Sequence, residues 1–423
     1  MLSLQMDKSL SRLSKNIAIV GGGAAGLIAA ITAAKAGHNL TVFEKSDRVG
    51  KKILASGNGR CNISNTSLHV NNYFSQNPNF VAEVLKQFHF EHFKKFCASM
   101  GLFLDIKEDG RVYPLSNEAK SVQILLHEQA LSLHVRILYQ QHIHKIHKQN
   151  STFTLTCKEN STSYKGFDAL IIATGSEAAL QLGGSDEGYQ LAQSFMHEII
   201  PTYPSLVQLH LNSDIHAKMA GLKFRGSVTL FIDREKRETI SGDLLFTKYG
   251  ISGFAILDIS QGASQALMHY QHVSISLNLL PQFNIQELNA QLSKLLKKLH
   301  NHTISHLLIG LISSKMVPHI LFTCKIDSQT LCADITTKSL KKILFCITQW
   351  RFDVSDTHGF QHAEVSGGGI STEDIDAKSM QSKLTKGLYF AGEVLDVVGE
   401  RGGYNLHFAW ASGSISAHSI SVS

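Results

Sequence analysis

The sequence predicts an α/β protein whose main domain is split by a large insertion, and three observations carry that expectation. Early in the chain an apolar run (Ile17, Ala18, Ile19, Val20) passes directly into Gly21-x-Gly23-x-x-Gly26, then an Ala- and Leu-rich stretch, a second apolar run from Leu40 to Phe43, and the acid Glu44. Late in the chain LYFAGE (388–393) leads through a Gly-rich loop into a tail of small residues with helical spacing. Between the two, from about Pro201, the pattern turns β-rich and then helical.

The first stretch reads as strand, glycine turn, helix, strand and acid, the order of a dinucleotide-binding βαβ unit. Gly21 allows the tight turn, Gly23 lets the backbone approach a pyrophosphate, and Gly26 lets helix and strand pack closely. The helix N-terminus offers unpaired N–H groups and partial positive charge. Glu44 stands where a carboxylate accepts from ribose hydroxyls. A lone GxGxxG is weak evidence; with its flanking strands and acid it is strong.

Residues 45–65 (KSDRVGKKILASGNGRCNISN) are too rich in Gly, Asn, Ser and Lys for a regular element. A long loop leaving the carboxyl end of a strand is usually functional. Residues 79–100 have helical spacing, with Gly101 as a stop, and Ser116 is expected to cap a helix running to Leu133. Strands follow at 135–139, 153–158 and 169–173, the last running into Ala173-Thr174-Gly175. Alternation at 207–211 and 273–279 and a β-branched run at 228–232 mark a β-rich region. Residues 285–316 turn helical, with Leu288, Leu292 and Leu296 on one side and Lys294, Lys297 and Lys298 on the other; Leu340, Ile343 and Leu344 suggest a further helix. The return begins near Phe352, and 362–370 read as a strand entering a glycine turn. The expected division is a nucleotide domain at 14–195 and 346–423, interrupted by a β-rich domain at 196–283 and a helical subdomain at 284–345.

Composition bounds the function. Lys and Arg number 40 against 34 Asp and Glu, a net charge of +6, so a polyanionic partner is permitted but not required. The six cysteines form no CxxC pair or zinc spacing, so no metal is expected and a reduced, cytoplasmic chain is the simple reading. Residues 1–16 lack the apolar core of a signal peptide, and no run reaches the ~18 apolar residues of a membrane span.

The order GGGAAG (21–26), FEK (43–45), SGNGRCNISN (56–65), ATGS (173–176), LLFTKYGISG (244–253), AEVSGGGI (363–370) and YFAGEVLDVVGERGGYNLHFAWASG (389–413) resembles the BaiN/RdsA-type NAD(P)/FAD-dependent oxidoreductases from about residue 15 onward. The resemblance implies a Rossmann-like, glutathione-reductase-like FAD domain interrupted by a β-barrel-like domain and a small helical domain. It places FAD pyrophosphate at Gly21, Gly23, Ala24, Ala25 and Gly26, adenosine ribose at Glu44, and Lys45 or Arg48 at the adenine end. The Thr174-Gly175 turn approaches the cofactor. Gly392, Glu393 and Asp396 face the ribityl or phosphate region, and Gly402, Gly403, Tyr404 and Asn405 begin the last helix toward the pyrimidine edge. Arg60, Cys61 and Asn62 lie on the loop over the flavin ring. No second GxGxxG follows a strand, so NAD(P)H is expected only as a transient electron donor. The chain departs from the family pattern at Lys248, where His is usual, and at Phe254, where Pro is usual.

The implied activity is reduction of an activated C=C bond, in substrates ranging from steroid-like enones to uridine in ribosomal RNA, the latter giving dihydrouridine. The mild positive charge favours RNA; a small-molecule ene-reductase, an amine-type oxidase and a non-catalytic RNA-binding flavoprotein are the alternatives. Cys61 has two readings, a proton donor helped by Arg60 or a small packing residue beside FAD. Lys51, Lys52 and the lysine face of 294–298 either meet phosphates or are solvated. His358 and Asp353 either act as ligands or acids or sit satisfied in a loop.

Overall fold

A computed structural model describes residues 14–159 and 161–422. Residues 1–13, most of the stretch read as lacking a signal-type core, lie outside them. Among the described residues no helix is long and apolar enough to cross a membrane. The chain divides into two compact units, one running to Thr202 and resuming at Val365, the other Tyr203–Glu364.

The first unit is built on a five-stranded parallel sheet ordered Leu388–Phe390, Ala169–Ile172, Asn16–Val20, Asn39–Phe43, Arg136–Leu138. Its strands are near-continuous apolar runs because both faces are covered; Ile17, Ile19, Ile171 and Phe390 are fully buried. Register matters more for function. Val20 pairs with Phe43 and Ile172, and Ile172 pairs with Phe390, so four strands end at one level. The residues that follow them, Gly21, Glu44, Ala173 and Ala391, therefore share the carboxyl edge. Helix Ala24–Lys35 packs on the last helix, Tyr404–Val422, through small residues. A Cβ on Gly413 would stand 2.4 Å from the Ala25 carbonyl oxygen. A three-stranded antiparallel sheet, Ile143–Gln149, Thr152–Cys157 and Ser163–Phe167, precedes Ala169–Ile172.

The second unit is a closed six-stranded barrel with its helices in the same core. Strand order is Leu209–Leu211, Gly250–Ser252, Glu235–Phe246, Lys223–Ile232, Val273–Asn278, Trp350–Thr357, the last pairing back to the first. Helix Phe254–Met268 packs against barrel strands, and helices Ile285–Lys298, Ile304–Ile309, Val317–Cys324 and Thr337–Thr348 complete the unit.

Several expectations change. Residues 346–364 belong with the barrel rather than the nucleotide unit, because Trp350–Thr357 pairs with Val273–Asn278 and Leu209–Leu211. Helix Phe254–Met268 and strand Glu235–Phe246 were not legible. The stretch 45–65 contains a short helix, Lys51–Ala55, and a tight turn, Ser56–Gly59. Residues 79–100 form two helices, Pro78–Gln87 and Phe90–Ser99, each begun by its own side-chain cap, Asn77 and His89. Ser116 caps nothing: the helix starts at Ala119, and the Ser116 hydroxyl meets that of Ser121 at 2.6 Å. The glycines of 367–369 lie inside strand Val365–Ile370, where a Cβ on Gly368 would stand 2.3 Å from the Pro201 carbonyl oxygen.

Gly413→Val should force the Ala25 and Gly413 helices apart and lower stability by about 1–3 kcal/mol, read as a reduced urea midpoint at unchanged slope.

Candidate functional site

The aligned strand ends set the site. Gly21, at φ +107°, donates its N–H to the Phe43 carbonyl (2.9 Å), and a Cβ there would stand 2.3 Å from the Ala173 oxygen. A Cβ on Gly26 would stand 1.9 Å from the Gly21 oxygen. These two glycines let backbone meet backbone. Gly23 and Gly175 are different: a Cβ on either would meet nothing within 4 Å. Both therefore border open space at the carboxyl edge, as backbone that a phosphate approaches must. Helix Ala24–Lys35 begins at Gly23 with no side-chain cap and no acid in its first turn, leaving its positive end to an anion. The Glu44 carboxylate accepts from the Gly22 N–H (2.8 Å) and the Ser46 N–H (2.7 Å), which hold it at this edge. These groups fit a bound dinucleotide. A cavity of ≈ 220 Å³ lined by Asn16, Asn39, Thr41 and Arg136 lies at the opposite, amino ends of the strands and plays no part in this arrangement.

The two most distinctive loops of the sequence are tied to each other. Oriented by its hydrogen bonds, the Asn62 amide donates to the Ser64 and Val112 carbonyls (3.1 Å each) and accepts from the Gly403 N–H (3.2 Å). Asn65 donates to the Gly402 carbonyl (3.0 Å), and the Trp410 indole donates to the Ile63 carbonyl (2.9 Å). A Cβ on Gly403 would stand 2.3 Å from the Ser64 oxygen. Fully buried His407 completes the clamp: Nε2 donates to the Phe88 carbonyl (3.1 Å), so Nδ1 accepts from the Ser64 hydroxyl (2.8 Å). Burial holds its pKa down to about 4. Among these partners Ser64, Asn65, His407 and Trp410 went unmarked in the sequence, since no local spacing relates residues some 340 positions apart.

Other expected site residues make bonds within the chain. Glu393 accepts from the Ser176 hydroxyl (2.8 Å), the Ser366 N–H (3.1 Å) and Lys52 (3.1 Å). Asp396 is buried and accepts from the Gln76 N–H (2.9 Å); burial raises its pKa. Asn405 closes its own loop, accepting from the Gly399 N–H and donating to the Gly399 carbonyl, each at 2.7 Å. Tyr404 packs edge-on against Tyr73, whose hydroxyl donates to the Tyr404 carbonyl (3.1 Å). Gly392 lets the strand end reach helix Ala24–Lys35, a Cβ there standing 2.9 Å from the Ala25 methyl. Lys45 donates to the Ser185 hydroxyl (2.8 Å) and pairs with Glu187 (3.4 Å), while Arg48 pairs with Asp47 (2.9 Å). Thr174 abuts Gly188, and Arg60 is exposed with its guanidinium 5.5 Å from the Tyr113 ring centre.

Cys61 resolves toward packing. It is 0 % exposed within the apolar core, and burial pushes its thiol up to about 11. A group that must touch cofactor or substrate needs an open face, and Cys61 has none. The barrel unit gathers a histidine cluster of its own. His210 Nε2 and His358 Nδ1 lie 2.8 Å apart, Tyr249 stacks on His358 at 3.9 Å and 10°, and His362 stacks on His358 at 4.0 Å. His358 is partly buried; burial and its two imidazole neighbours hold its pKa below the ordinary histidine value. Among the described residues no group of three or more His, Cys, Asp or Glu is arranged to hold a metal ion.

Comparison with known proteins places these features in a family. The model described as HI0933-like protein Rossmann domain matches residues 15–419. The chain is 32% identical over 399 residues to a 3-dehydro-bile acid delta(4,6)-reductase of Clostridium scindens, covering 94% of this chain and 97% of that protein. It is 32% identical over 417 residues to a ribosomal RNA dihydrouridine synthase of Haemophilus influenzae, covering 97% and 100%. A 3-ketosteroid-delta4-(5alpha)-dehydrogenase structure from Rhodococcus jostii shares the fold at a TM-score of 0.50 and 13% identity, covering 98% of each chain.

Two outcomes test the site. Cys61→Ala should keep its flavin and turn over within about twofold of the unaltered protein, because a sealed thiol delivers no proton; the cost should appear as about 1 kcal/mol of stability. His407 should make the fold acid-sensitive. Its depressed pKa means its contribution is present above pH ~6.5 and lost as pH falls through about 4, on the order of 3 kcal/mol in all. His407→Gln should narrow the gap between urea midpoints at pH 7 and pH 4.5.

Proposed function

Starting from the fact that the chain belongs to the HI0933-like Rossmann family and is an FAD-dependent oxidoreductase, we propose that it reduces an activated C=C bond, with uridine in ribosomal RNA as substrate and dihydrouridine as product. The observation that carries this reading is end-to-end similarity to relatives named ribosomal RNA dihydrouridine synthase, supported by a net charge of +6 suited to a polyanion. The equally similar bile acid reductase favours a second reading, a small-molecule reductase. Both names describe saturation of a C=C bond conjugated to a carbonyl, so the chemistry is common and only the substrate differs.

When bound, the flavin supplies hydride drawn from NAD(P)H. The chain does the rest. Gly23, the uncapped helix start and Gly175 receive phosphate; Glu44 accepts from ribose hydroxyls. The clamp of Asn62, Asn65 and His407 holds the 56–65 loop and the start of the last helix in one arrangement. The second carbon of the reduced bond also takes up a proton.

The deciding experiment is mass analysis of ribosomal RNA from a deletion strain: one uridine should be two daltons lighter than in the parent, and restoration by the gene should reverse this. Unchanged RNA would sink the RNA reading and leave the small-molecule one.

A further inference from the structure

The charge of the chain is unevenly placed. Residues 285–348 hold eight lysines against three carboxylates, Glu287, Asp327 and Asp334, so this helical segment carries nearly all of the net +6. Helix Thr337–Thr348 concentrates it. Leu340, Ile343, Leu344 and Ile347 are buried, while Lys338, Lys341, Lys342 and Phe345 are exposed. Those four stand at i, i+3, i+4 and i+7, one face of the helix. Among the described residues no carboxylate lies within ion-pair distance of the three lysines, so their charge is not spent internally.

Solvated lysine faces are common; exposed phenylalanines within one are not. Phe345 is 45% exposed, and Phe322 on the packed helix Val317–Cys324 is 72% exposed. The Cys324 and Cys346 sulfurs touch at 3.6 Å, which sets the end of one helix against the last turns of the other. Lys325 follows directly, in the left-handed conformation that ends Val317–Cys324, and is exposed. Cations for phosphates beside aromatic faces for unstacked bases are the two components by which proteins hold single-stranded nucleic acid. A lipid surface would call for a continuous apolar face, and the apolar face of this helix is already buried in the core.

We infer that the face formed by Lys338, Lys341, Lys342 and Phe345, extended by Phe322 and Lys325, docks an unpaired segment of RNA. The inference rests on the reading of RNA as substrate and names the surface that grips it; charge complementarity selects the occupant. The lysines meet backbone phosphates and the phenylalanines stack on bases, so affinity depends strongly on salt and little on sequence.

The test uses full-length, flavin-loaded protein and a fluorescein-labelled 16-nucleotide single-stranded oligouridylate, titrated by anisotropy between 50 and 200 mM KCl. Each lost phosphate contact lowers the salt slope by about 0.7 for single strands. The triple variant Lys338→Gln, Lys341→Gln, Lys342→Gln should therefore flatten the slope by about 2 and weaken binding at least tenfold at 50 mM. Phe345→Ala should weaken binding about tenfold at unchanged slope, and Phe345→Trp should restore it. Unaltered flavin spectra and urea midpoints are expected throughout, since these side chains are exposed. Binding of the triple variant within twofold of the parent, at the same slope, would overturn the inference. So would parent protein that ignores the oligomer but binds phosphatidylserine vesicles through the same lysines. Because binding is read without turnover, a protein that grips RNA here yet leaves uridine unreduced would refute the proposed substrate and uphold the surface.

Discussion

Backbone meeting backbone at Gly21 is the constraint on which the nucleotide unit depends. Gly21 sits against the Ala173 carbonyl on one side, and its own carbonyl faces Gly26 with no room for a methyl between them. The first strand, the glycine turn, the helix and the neighbouring strand end are thereby drawn to separations that side chains would prevent. That closeness aligns the helix axis on the carboxyl edge and aims its uncapped end at the space beside Gly23. Had the helix stood one methyl farther off, its N–H groups and Glu44 would no longer share one edge. The favourable electrostatics of the site are a consequence of steric economy at two glycines.

A second level of organisation is the clamp between residues 62–65 and 402–410. It consists of amide, hydroxyl, imidazole and indole groups that satisfy one another in a buried setting, where an unpaired polar group costs about 1–3 kcal/mol. Such a network tolerates few alternatives and holds its loops in one arrangement. The neutral state of His407 belongs to this logic: both ring nitrogens are committed, one as donor and one as acceptor, so an added proton would break the bond to Ser64. Cys61 lies inside the same packing, which is why the thiol that looks reactive in sequence is a core residue in space.

The barrel unit divides its labour differently. Its strands bury their apolar residues in one core with the helices. The stacked Tyr249, His358 and His362 with His210 come from three segments of the unit. The lysine and phenylalanine face lies on its helical portion.

The sequence by itself determined the βαβ unit, the discontinuity of its domain, the family resemblance and the open role of Gly23, since each follows from local spacing that short-range sterics enforce. The lysine periodicity of the helical segment was legible in residues 294–298 for the same reason. Only tertiary structure decided the membership of Trp350–Thr357 in the barrel, the burial of Cys61, the commitment of Glu393, Asp396 and Asn405 to structural bonds, and the pairing of Asn62 and Asn65 with Gly403 and Gly402. Those outcomes depend on partners hundreds of residues away. A side chain's chemistry is written in its identity, but its role depends on whether folding leaves it a free face and a free lone pair, and that is settled by packing.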